Sequence, residues 1–163
     1  MSMITAIYPG SFDPITLGHL NVIRRTSAIF DKLVVCVMVN SNKNPLFTTA
    51  ERVSLIERTV ARFHNVEVKS YDGLLVEFMK DRDIKVIIKG LRAVSDYDKE
   101  LQIALVNRHL DATIETMFMP SSEKYTHISS SVVKEMARYG ADLSAFVPVE
   151  IIGDVVSRIK SER

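Results

Sequence analysis

Short apolar runs alternate with amphipathic segments along the whole chain. Five runs are rich in Val, Ile and Met, and several are continuously apolar, as is typical of strands covered on both faces. The strand candidates are Met3–Tyr8, Leu33–Val39, Val66–Lys69, Ile84–Lys89 and Ile114–Met119. This pattern predicts a sheet that is buried on both sides.

Apolar residues at helical spacing fill the segments between and after these runs. Thr48 forms a capping-box pattern with Glu51 at the start of one such segment. A later helix candidate carries Leu101, Ala104 and Leu105 in its spacing. The predicted helices cover about Gly18–Phe30, the segment from Thr48 to Phe63, Leu74–Lys80, Ser95–Leu110, Ser129 or Ser130 to Tyr139, and Pro148–Lys160.

The strict alternation of strands and helices predicts an α/β fold. Its expected form is an open, doubly wound parallel sheet with helices on both faces. The chain has 163 residues and no Pro- or Gly-rich linker, so we expect a single domain over residues 1–163. Ligands of such sheets bind beyond the carboxyl ends of the strands, where the strand order reverses. The segments that follow each strand are therefore the places to search for a site.

Composition narrows the possible partners. The formal net charge is +1, which gives no overall attraction to nucleic acid or to an anionic membrane, so any anion site must be local. The single cysteine, Cys36, lies in an apolar run and indicates a reducing, cytoplasmic setting. No apolar run approaches the roughly 20 residues that cross a bilayer. We therefore expect neither a nucleic-acid nor a membrane partner.

The segment after the first strand, "YPGSFDPITLGH", has the character of an anion-binding loop. Small residues let the backbone approach a ligand closely, and the start of the next helix favours phosphate. The segment has neither the Gly-Lys-Ser/Thr ending of a Walker loop nor the G-x-G-x-x-G of dinucleotide folds. Spacing alone leaves a second interpretation, in which His19 shares a buried helix face with Val22 and Ile23.

Cations and hydroxyls follow the other strands. Lys43 comes after the second strand, Lys89 and Arg92 bracket the end of the fourth, and Ser129–Ser131 open a helix after the fifth. Each feature alone is typical of a solvated loop or a helix cap. Together with His19 they would meet at one edge of the sheet, where they could hold a polyphosphate. This favours phosphoryl or nucleotidyl transfer, in which positioning and electrostatics supply most of the catalysis.

Three segments together resemble the bacterial phosphopantetheine adenylyltransferase family. They are "YPGSFDPITLGH", "KGLRAVSDYDKELQ" and "YTHISSSVVKE", and the likeness extends in order over nearly the whole chain. The T-x-G-H and ISSS elements mark the wider H/T-x-G-H nucleotidyltransferase superfamily, and the GLR block narrows the match. The resemblance implies a Rossmann-like sheet of order 3-2-1-4-5 followed by C-terminal helices. It also implies transfer of the adenylyl group of ATP to 4′-phosphopantetheine, with Mg²⁺, giving dephospho-coenzyme A and pyrophosphate in the penultimate step of coenzyme A synthesis.

The resemblance assigns roles to residues motif by motif. The catalytic residues would be His19, Lys43, Arg92 and Ser11, with His19 hydrogen-bonded to the α-phosphate as it becomes five-coordinate. ATP would be bound by Ser11, Phe12, His19, Gly90, Leu91, Arg92, Glu100, Tyr125, Thr126, His127, Ile128, Ser129, Ser130 and Ser131. Phosphopantetheine would be bound by Ser11, Lys43, Leu75 and Lys89. No protein residue is assigned to a metal. Family members are usually homohexamers, with coenzyme A as a feedback ligand.

Two positions depart from the pattern of the family. Lys89 stands where many members have Arg, which keeps the charge but loses the two-pronged guanidinium contact with phosphate. His127 occupies a position that is often aromatic, and we expect it to pack in that way rather than to act in catalysis.

Two other functions fit parts of the same sequence. A sister nucleotidyltransferase, such as a cytidylyltransferase or a nicotinamide-mononucleotide adenylyltransferase, would share T-x-G-H and ISSS but is disfavoured by the GLR block. A non-catalytic nucleotide-binding module on the same fold would be expected to lose motif residues such as His19 and Arg92, which are present.

Overall fold

A five-stranded parallel sheet forms the centre of the computed structural model, which describes residues 3–39 and 44–162. The strands are β1 (Thr5–Gly10), β2 (Lys32–Met38), β3 (Val66–Tyr71), β4 (Val86–Leu91) and β5 (Glu115–Pro120). Their order across the sheet is β3-β2-β1-β4-β5, which confirms the predicted topology. The order reverses between β1 and β4, so a ligand site is expected beyond these two strands.

Six α-helices connect and follow the strands. They are α1 (Leu17–Ser27), α2 (Thr49–Val60), α3 (Leu75–Lys80), α4 (Val94–Leu110), α5 (Ser130–Arg138) and α6 (Ile152–Ser161), with short 3-10 helices at Glu123–Tyr125 and Val149–Ile151. The predicted capping box of α2 is confirmed, because the Thr48 N–H donates to a Glu51 carboxylate oxygen at 2.8 Å. Within the described ranges, no helix is both long and apolar enough to cross a membrane.

Alternate residues of the central strands enter two separate cores. On one face, residues such as Tyr8, Val35 and Ile88 pack against α1, α2, α5 and α6. On the other face, residues such as Ile7 and Cys36 pack against α3. The sheet is therefore buried on both sides, which explains why its strands read as continuous apolar runs.

The sheet opens at the carboxyl end of β1. Residues 9 and 10 of β1 pair with Cys36 and Val37 of β2, so this strand extends two residues beyond its predicted end at Tyr8. Pairing of β1 with β4 ends earlier, at Ile7 and Ile87. Beyond that point the two strands are no longer hydrogen-bonded to each other. The gap lies at the reversal of strand order and forms the floor of the candidate site.

Helix α4 forms as predicted, but its apolar residues do not build a core. None of its residues is buried, and Leu105 and Val106 are 60% and 57% exposed. Leu101 and Ala104 are only partly covered, because α4 lies against α3, β4 and β5 at one edge of the sheet. The spacing predicted the helix correctly, but the apolar residues at that spacing are not buried.

Candidate active site

A cavity of about 400 Å³ opens beyond the carboxyl ends of β1 and β4. It is walled by the turn after β1 and by the first residues of α1, α4 and α5. The predicted residues that line this first cavity are Ser11, Phe12, His19, Lys89, Gly90, Arg92, Glu100, Ile128, Ser129, Ser130 and Ser131. Residues from the turn after β1, from the end of β4, from α4 and from the start of α5 thus lie together beyond the carboxyl ends of the strands, as the sequence predicted.

A second cavity, of about 420 Å³, adjoins the first. The two share Pro9, Gly10, Ser11 and Lys89, which form a common wall. The rest of the second cavity is mostly apolar and consists of Met38, Val39, Leu75, Ile103 and Asn107. Two ligands could therefore lie side by side, with Ser11 and Lys89 between them.

His19 has a second role as a helix cap. It is the third residue of α1, and its N–H donates to the Thr16 hydroxyl oxygen at 3.3 Å. In return the Thr16 N–H donates to Nδ1 of His19 at 3.1 Å. Because Nδ1 accepts this hydrogen bond, the proton of the neutral ring lies on Nε2. The cap therefore fixes both the orientation of the ring and its tautomer.

The surroundings of His19 keep its ring neutral. The ring is half-buried, with the Phe12 and Tyr8 rings at centroid distances of 5.0 and 6.5 Å. Burial and, to a lesser extent, the nearby positive charge of Arg92 together lower the pKa of His19 to about 4. Burial also raises the pKa of the Tyr8 phenol, which stays protonated. At neutral pH His19 can thus donate a hydrogen bond from Nε2.

The turn between β1 and α1 brings a strained residue against His19. Phe12 has a φ of +46°, in the left-handed region that residues other than glycine rarely adopt. Its buried ring packs so closely on Gly10 that a Cβ there would lie 3.0 Å from the ring. Gly10 is therefore required for this packing.

Both cations of the first cavity are paired with carboxylates of α4. The Lys89 ammonium lies 3.1 Å from Glu100, with side chains 19% and 23% exposed. The Arg92 guanidinium donates two hydrogen bonds to Asp96, at 3.2 and 3.3 Å. Burial opposes the ionisation of Asp96, but the hydrogen bonds from Arg92 prevail and hold its pKa below the usual value. The charges of these four residues therefore cancel before any ligand binds.

The three serines at the start of α5 do not offer equivalent hydroxyls. Ser129 accepts a hydrogen bond from the Val132 N–H at 3.2 Å and caps the helix. The Ser130 hydroxyl donates to the Pro14 carbonyl at 2.8 Å, so its proton is already used. Ser131 is exposed. The protons of Ser129 and Ser131 are therefore the ones best placed to reach an anion.

Several predicted residues lie away from the first cavity. Leu91, Tyr125, Thr126 and His127 do not line it. Tyr125 packs partly against the core, and the His127 ring meets the Phe146 ring edge-on at 6.4 Å, which explains why these side chains point elsewhere. Leu75 lines the second cavity as predicted. The predicted residue Lys43 lies outside the described residues.

Sequence reasoning gave no role to Asp96, and it named Thr16 only as the first residue of the T-x-G-H element, without its capping role. Thr16 stands three residues before His19, which is capping-box spacing, but His is not the usual partner in that motif. Asp96 stands four residues after Arg92, which is the spacing of a helical ion pair. Met38, Ile103 and Asn107 of the second cavity carried no signal in the sequence, because tertiary packing alone brings them together.

Comparison with known proteins agrees with this geometry. The sequence model described as cytidylyltransferase-like matches residues 7–136. A solved structure described as a candidate nicotinate-nucleotide adenylyltransferase from Vibrio parahaemolyticus superposes with a TM-score of 0.68. It covers 96% of both chains at 18% identity, which supports the fold. The chain therefore belongs to the cytidylyltransferase-like family of nucleotidyltransferases.

Curated relatives narrow the family. A phosphopantetheine adenylyltransferase of Clostridium beijerinckii is 53% identical over 157 residues, which are 96% of this chain and 99% of the relative. One from Clostridium novyi is 50% identical over 161 residues, covering 99% and 100% of the two chains. Within the nucleotidyltransferases, this chain is thus similar over nearly its full length to phosphopantetheine adenylyltransferases.

Proposed function

We propose that the protein transfers the adenylyl group of ATP to 4′-phosphopantetheine, giving dephospho-coenzyme A and pyrophosphate. One observation carries this proposal: two cavities of about 400 and 420 Å³ share a wall made by Pro9, Gly10, Ser11 and Lys89. A reaction that joins two phosphorylated substrates needs such an arrangement. The full-length similarity to phosphopantetheine adenylyltransferases supports the choice of substrates.

ATP is assigned to the first cavity because its lining is polar and rich in donors. Arg92, His19 and the start of α5 all line this space. Bound phosphates would compete with the carboxylates that now pair with Lys89 and Arg92, since phosphate oxygens accept charge-assisted hydrogen bonds from the same cations. Glu100 is then free to accept hydrogen bonds from the nucleotide.

Phosphopantetheine is assigned to the second cavity. Its arm is a chain of apolar and amide groups, which matches Met38, Leu75 and Ile103 together with the side-chain amide of Asn107. Its phosphate would then lie at the shared wall beside Ser11 and Lys89. This places the attacking oxygen next to the first cavity, as an in-line transfer requires.

The chemistry needs no general base from the protein. The nucleophile is a phosphate monoester whose second pKa is about 6, so it is mostly a dianion at neutral pH. One of its oxygens forms a bond to the α-phosphorus of ATP while the bond to the β-phosphate oxygen breaks and pyrophosphate leaves. Lys43, Lys89 and Arg92 would offset the repulsion between the two anions, and Ser11 would border both of them.

His19 would stabilise the transition state. Its Nε2–H would donate to an α-phosphoryl oxygen whose negative charge grows as phosphorus becomes five-coordinate. The cap with Thr16 holds the ring in place before the substrates arrive, so the donor needs no reorganisation during the reaction. A neutral ring is sufficient for this role.

Mg²⁺ is part of the proposal, as a companion of the nucleotide rather than a resident ion. No cluster of three or more His, Cys, Asp or Glu side chains suited to a metal exists among the residues described. Mg²⁺ is usually held by substrate phosphates, water and one or two carboxylates, so this donor set fits. Asp96 and Glu100 are the carboxylates of the first cavity that could add a ligand. The ion would neutralise charge on the phosphates.

The proposal also covers the oligomeric state, feedback by coenzyme A, the number of domains and the location of the protein. A homohexamer is supported by the uncovered apolar side chains of α4 and β5, including Leu105, Val106 and Met117. Coenzyme A combines an adenine nucleotide with a pantetheine arm, so it would span both cavities and compete with both substrates. A single domain and a cytoplasmic location complete the proposal, the latter supported by the free, buried Cys36.

An acceptor screen tests the choice of substrates. Pyrophosphate release is measured with ATP or CTP against 4′-phosphopantetheine, nicotinamide mononucleotide and other phosphorylated acceptors. We expect turnover with ATP and 4′-phosphopantetheine, and much less with every other pair. Preferential turnover of another acceptor, or of CTP, would assign the protein to a sister nucleotidyltransferase activity.

A further inference from the structure

Two buried charged residues hold the turn between β1 and α1, and neither has a role in the reaction described above. Arg52 of α2 is 4% exposed, and Asp13 in the turn itself is 7% exposed. Neither lines the first or the second cavity. Arg52 instead contacts Ser11, which lines both cavities, and Asp13 contacts the segments that surround the turn.

Arg52 is hydrogen-bonded to the turn at Ser11. Its Nη1 donates to the Ser11 carbonyl at 2.8 Å, and its Nη2 donates to the Thr49 hydroxyl at 3.2 Å. Its Nε is buried without a hydrogen-bond partner, and no carboxylate among the described residues forms an ion pair with it. A buried, unpaired charge is unfavourable, and a neutral donor could hold a carbonyl equally well. The charge itself therefore needs an explanation.

Asp13 fixes the other end of the turn. Its two carboxylate oxygens accept hydrogen bonds from the N–H groups of Leu46 and Phe47 at 2.8 and 2.9 Å. The Lys134 ammonium also lies 3.1 Å from this carboxylate. The carboxylate thus ties the turn to the segment before α2 and to α5.

Phe12 lies between these two anchors. Its left-handed backbone is unfavourable for a residue other than glycine, and such strain persists only where the surroundings impose it. The anchored neighbours, Ser11 and Asp13, flank Phe12 directly. Its ring lies 5.0 Å from the ring of His19. Release of either anchor would therefore let Phe12 relax and would alter the packing around His19.

The positive charge of Arg52 lies close to the wall shared by the two cavities. The cations of the first cavity, Lys89 and Arg92, are each paired with a carboxylate of α4. Arg52 has no such partner within residues 3–39 and 44–162, yet it touches Ser11, which belongs to the wall shared by both cavities. Its positive charge is weakly screened because it is buried. It would therefore favour phosphate groups on that wall.

We propose that Arg52 is a positioning residue for the transfer reaction: it holds the Ser11–Phe12 turn against His19, and its unpaired charge favours phosphates at the shared wall. The role of Arg52 in catalysis rests on the proposed adenylyl transfer, whereas its role in holding the Ser11–Phe12 turn does not. Arg52 touches no substrate in this scheme and acts through Ser11 and Phe12.

The test compares Arg52→Gln and Arg52→Lys with the control Asn65→Ala. Asn65 is matched to Arg52, because its side chain donates to the carbonyls of Ser27 and Phe30 at 2.8 and 3.1 Å at the opposite edge of the sheet. For Arg52→Gln we expect kcat to fall about 10- to 100-fold, since a misplacement of about 1 Å has effects of this size. Arg52→Lys, which keeps the charge, should recover part of the loss. Asn65→Ala should lower Tm but leave kcat unchanged.

A second readout does not depend on activity. Nuclear Overhauser contacts between the ring protons of Phe12 and His19 should be lost in Arg52→Gln and kept in Asn65→Ala. If the wild type fails to adenylylate phosphopantetheine, the proposed function is wrong, and these contacts alone decide the holding role. If Arg52→Gln does not fold, Arg52→Lys tests the holding role alone: it keeps the charge but loses the two guanidinium contacts, so it should weaken the ring contacts relative to Asn65→Ala. A kcat equal to that of Asn65→Ala, with the ring contacts intact, would overturn the proposal.

Discussion

Replacing His19 separates its two functions, because different substitutions remove different nitrogens. His19→Ala removes both the Nε2–H donor and the Nδ1 acceptor that receives the Thr16 N–H. His19→Gln removes the imidazole donor but restores an acceptor at the third helical position, where Gln is a usual capping-box partner. The two variants should therefore differ in stability and agree in their loss of activity.

The expected magnitudes follow from these contacts. Loss of a preorganised donor to developing charge costs about 3–4 kcal/mol, or roughly 10²–10³ in kcat. Loss of the hydrogen bond that Nδ1 accepts from the Thr16 N–H costs about 0.5–1.5 kcal/mol. In a chain of this size each kcal/mol lowers Tm by about 2–4 °C. His19→Ala should thus lose a few degrees in Tm and most of its kcat, and His19→Gln should recover stability without activity.

Three measurements decide the matter. Pyrophosphate release at saturating substrates gives kcat, calorimetric titration gives the Kd for ATP, and circular dichroism gives Tm. Thr48→Ala is the control, since it removes one hydrogen bond of the capping box of α2, away from both cavities. It should lower Tm as His19→Ala does while leaving kcat unchanged. Wild-type kcat in His19→Ala, or full recovery of kcat in His19→Gln, would refute the assigned role.

Three further predictions concern pH, substrate binding and assembly. The unfolded chain binds a proton at His19 near pH 6.5, whereas the folded chain does so only near pH 4. As the pH is lowered from 6.5 to 4, the free energy of unfolding measured by urea titration should therefore fall by up to about 1.4 kcal/mol per pH unit. His19→Gln should lack this contribution, and an equal fall in that variant would contradict the prediction. Leu75→Asp places a charge in the apolar second cavity and should raise KM for phosphopantetheine while leaving the Kd for ATP unchanged; equal effects on both would contradict the separate cavities. Leu105→Glu combined with Met117→Glu should reduce the oligomer mass measured by light scattering, and an unchanged mass would exclude these side chains from the interface.

The fold and the place of the site were predictable because they depend on local patterns and a general rule. Continuous apolar runs separated by helical spacing imply a parallel sheet, and parallel strands bring their carboxyl ends to one edge. Since Lys89 lies near the carboxyl end of β4, Arg92 follows that strand, and His19 lies in the helix that follows β1, all three line one cavity. The cap formed by Thr48 and Glu51 was equally predictable, because its two partners are three residues apart.

The details that were missed depend on contacts that spacing does not specify. The ion pair between Lys89 and Glu100 joins a strand to a helix, so it depends on how α4 packs against β4. The exposure of Leu105 could not be predicted, because helical spacing identifies an apolar face but not the elements that cover it. The anchoring of Ser11 by Arg52 joins residues 41 positions apart. Such features follow from tertiary packing alone.

One incubation tests the central claim most directly. The folded protein is mixed with ATP, Mg²⁺ and 4′-phosphopantetheine, and the products are followed by mass spectrometry. The account predicts dephospho-coenzyme A and pyrophosphate in equal amounts, with production strongly reduced in His19→Ala. Absence of dephospho-coenzyme A from a folded wild-type protein that binds ATP would contradict it.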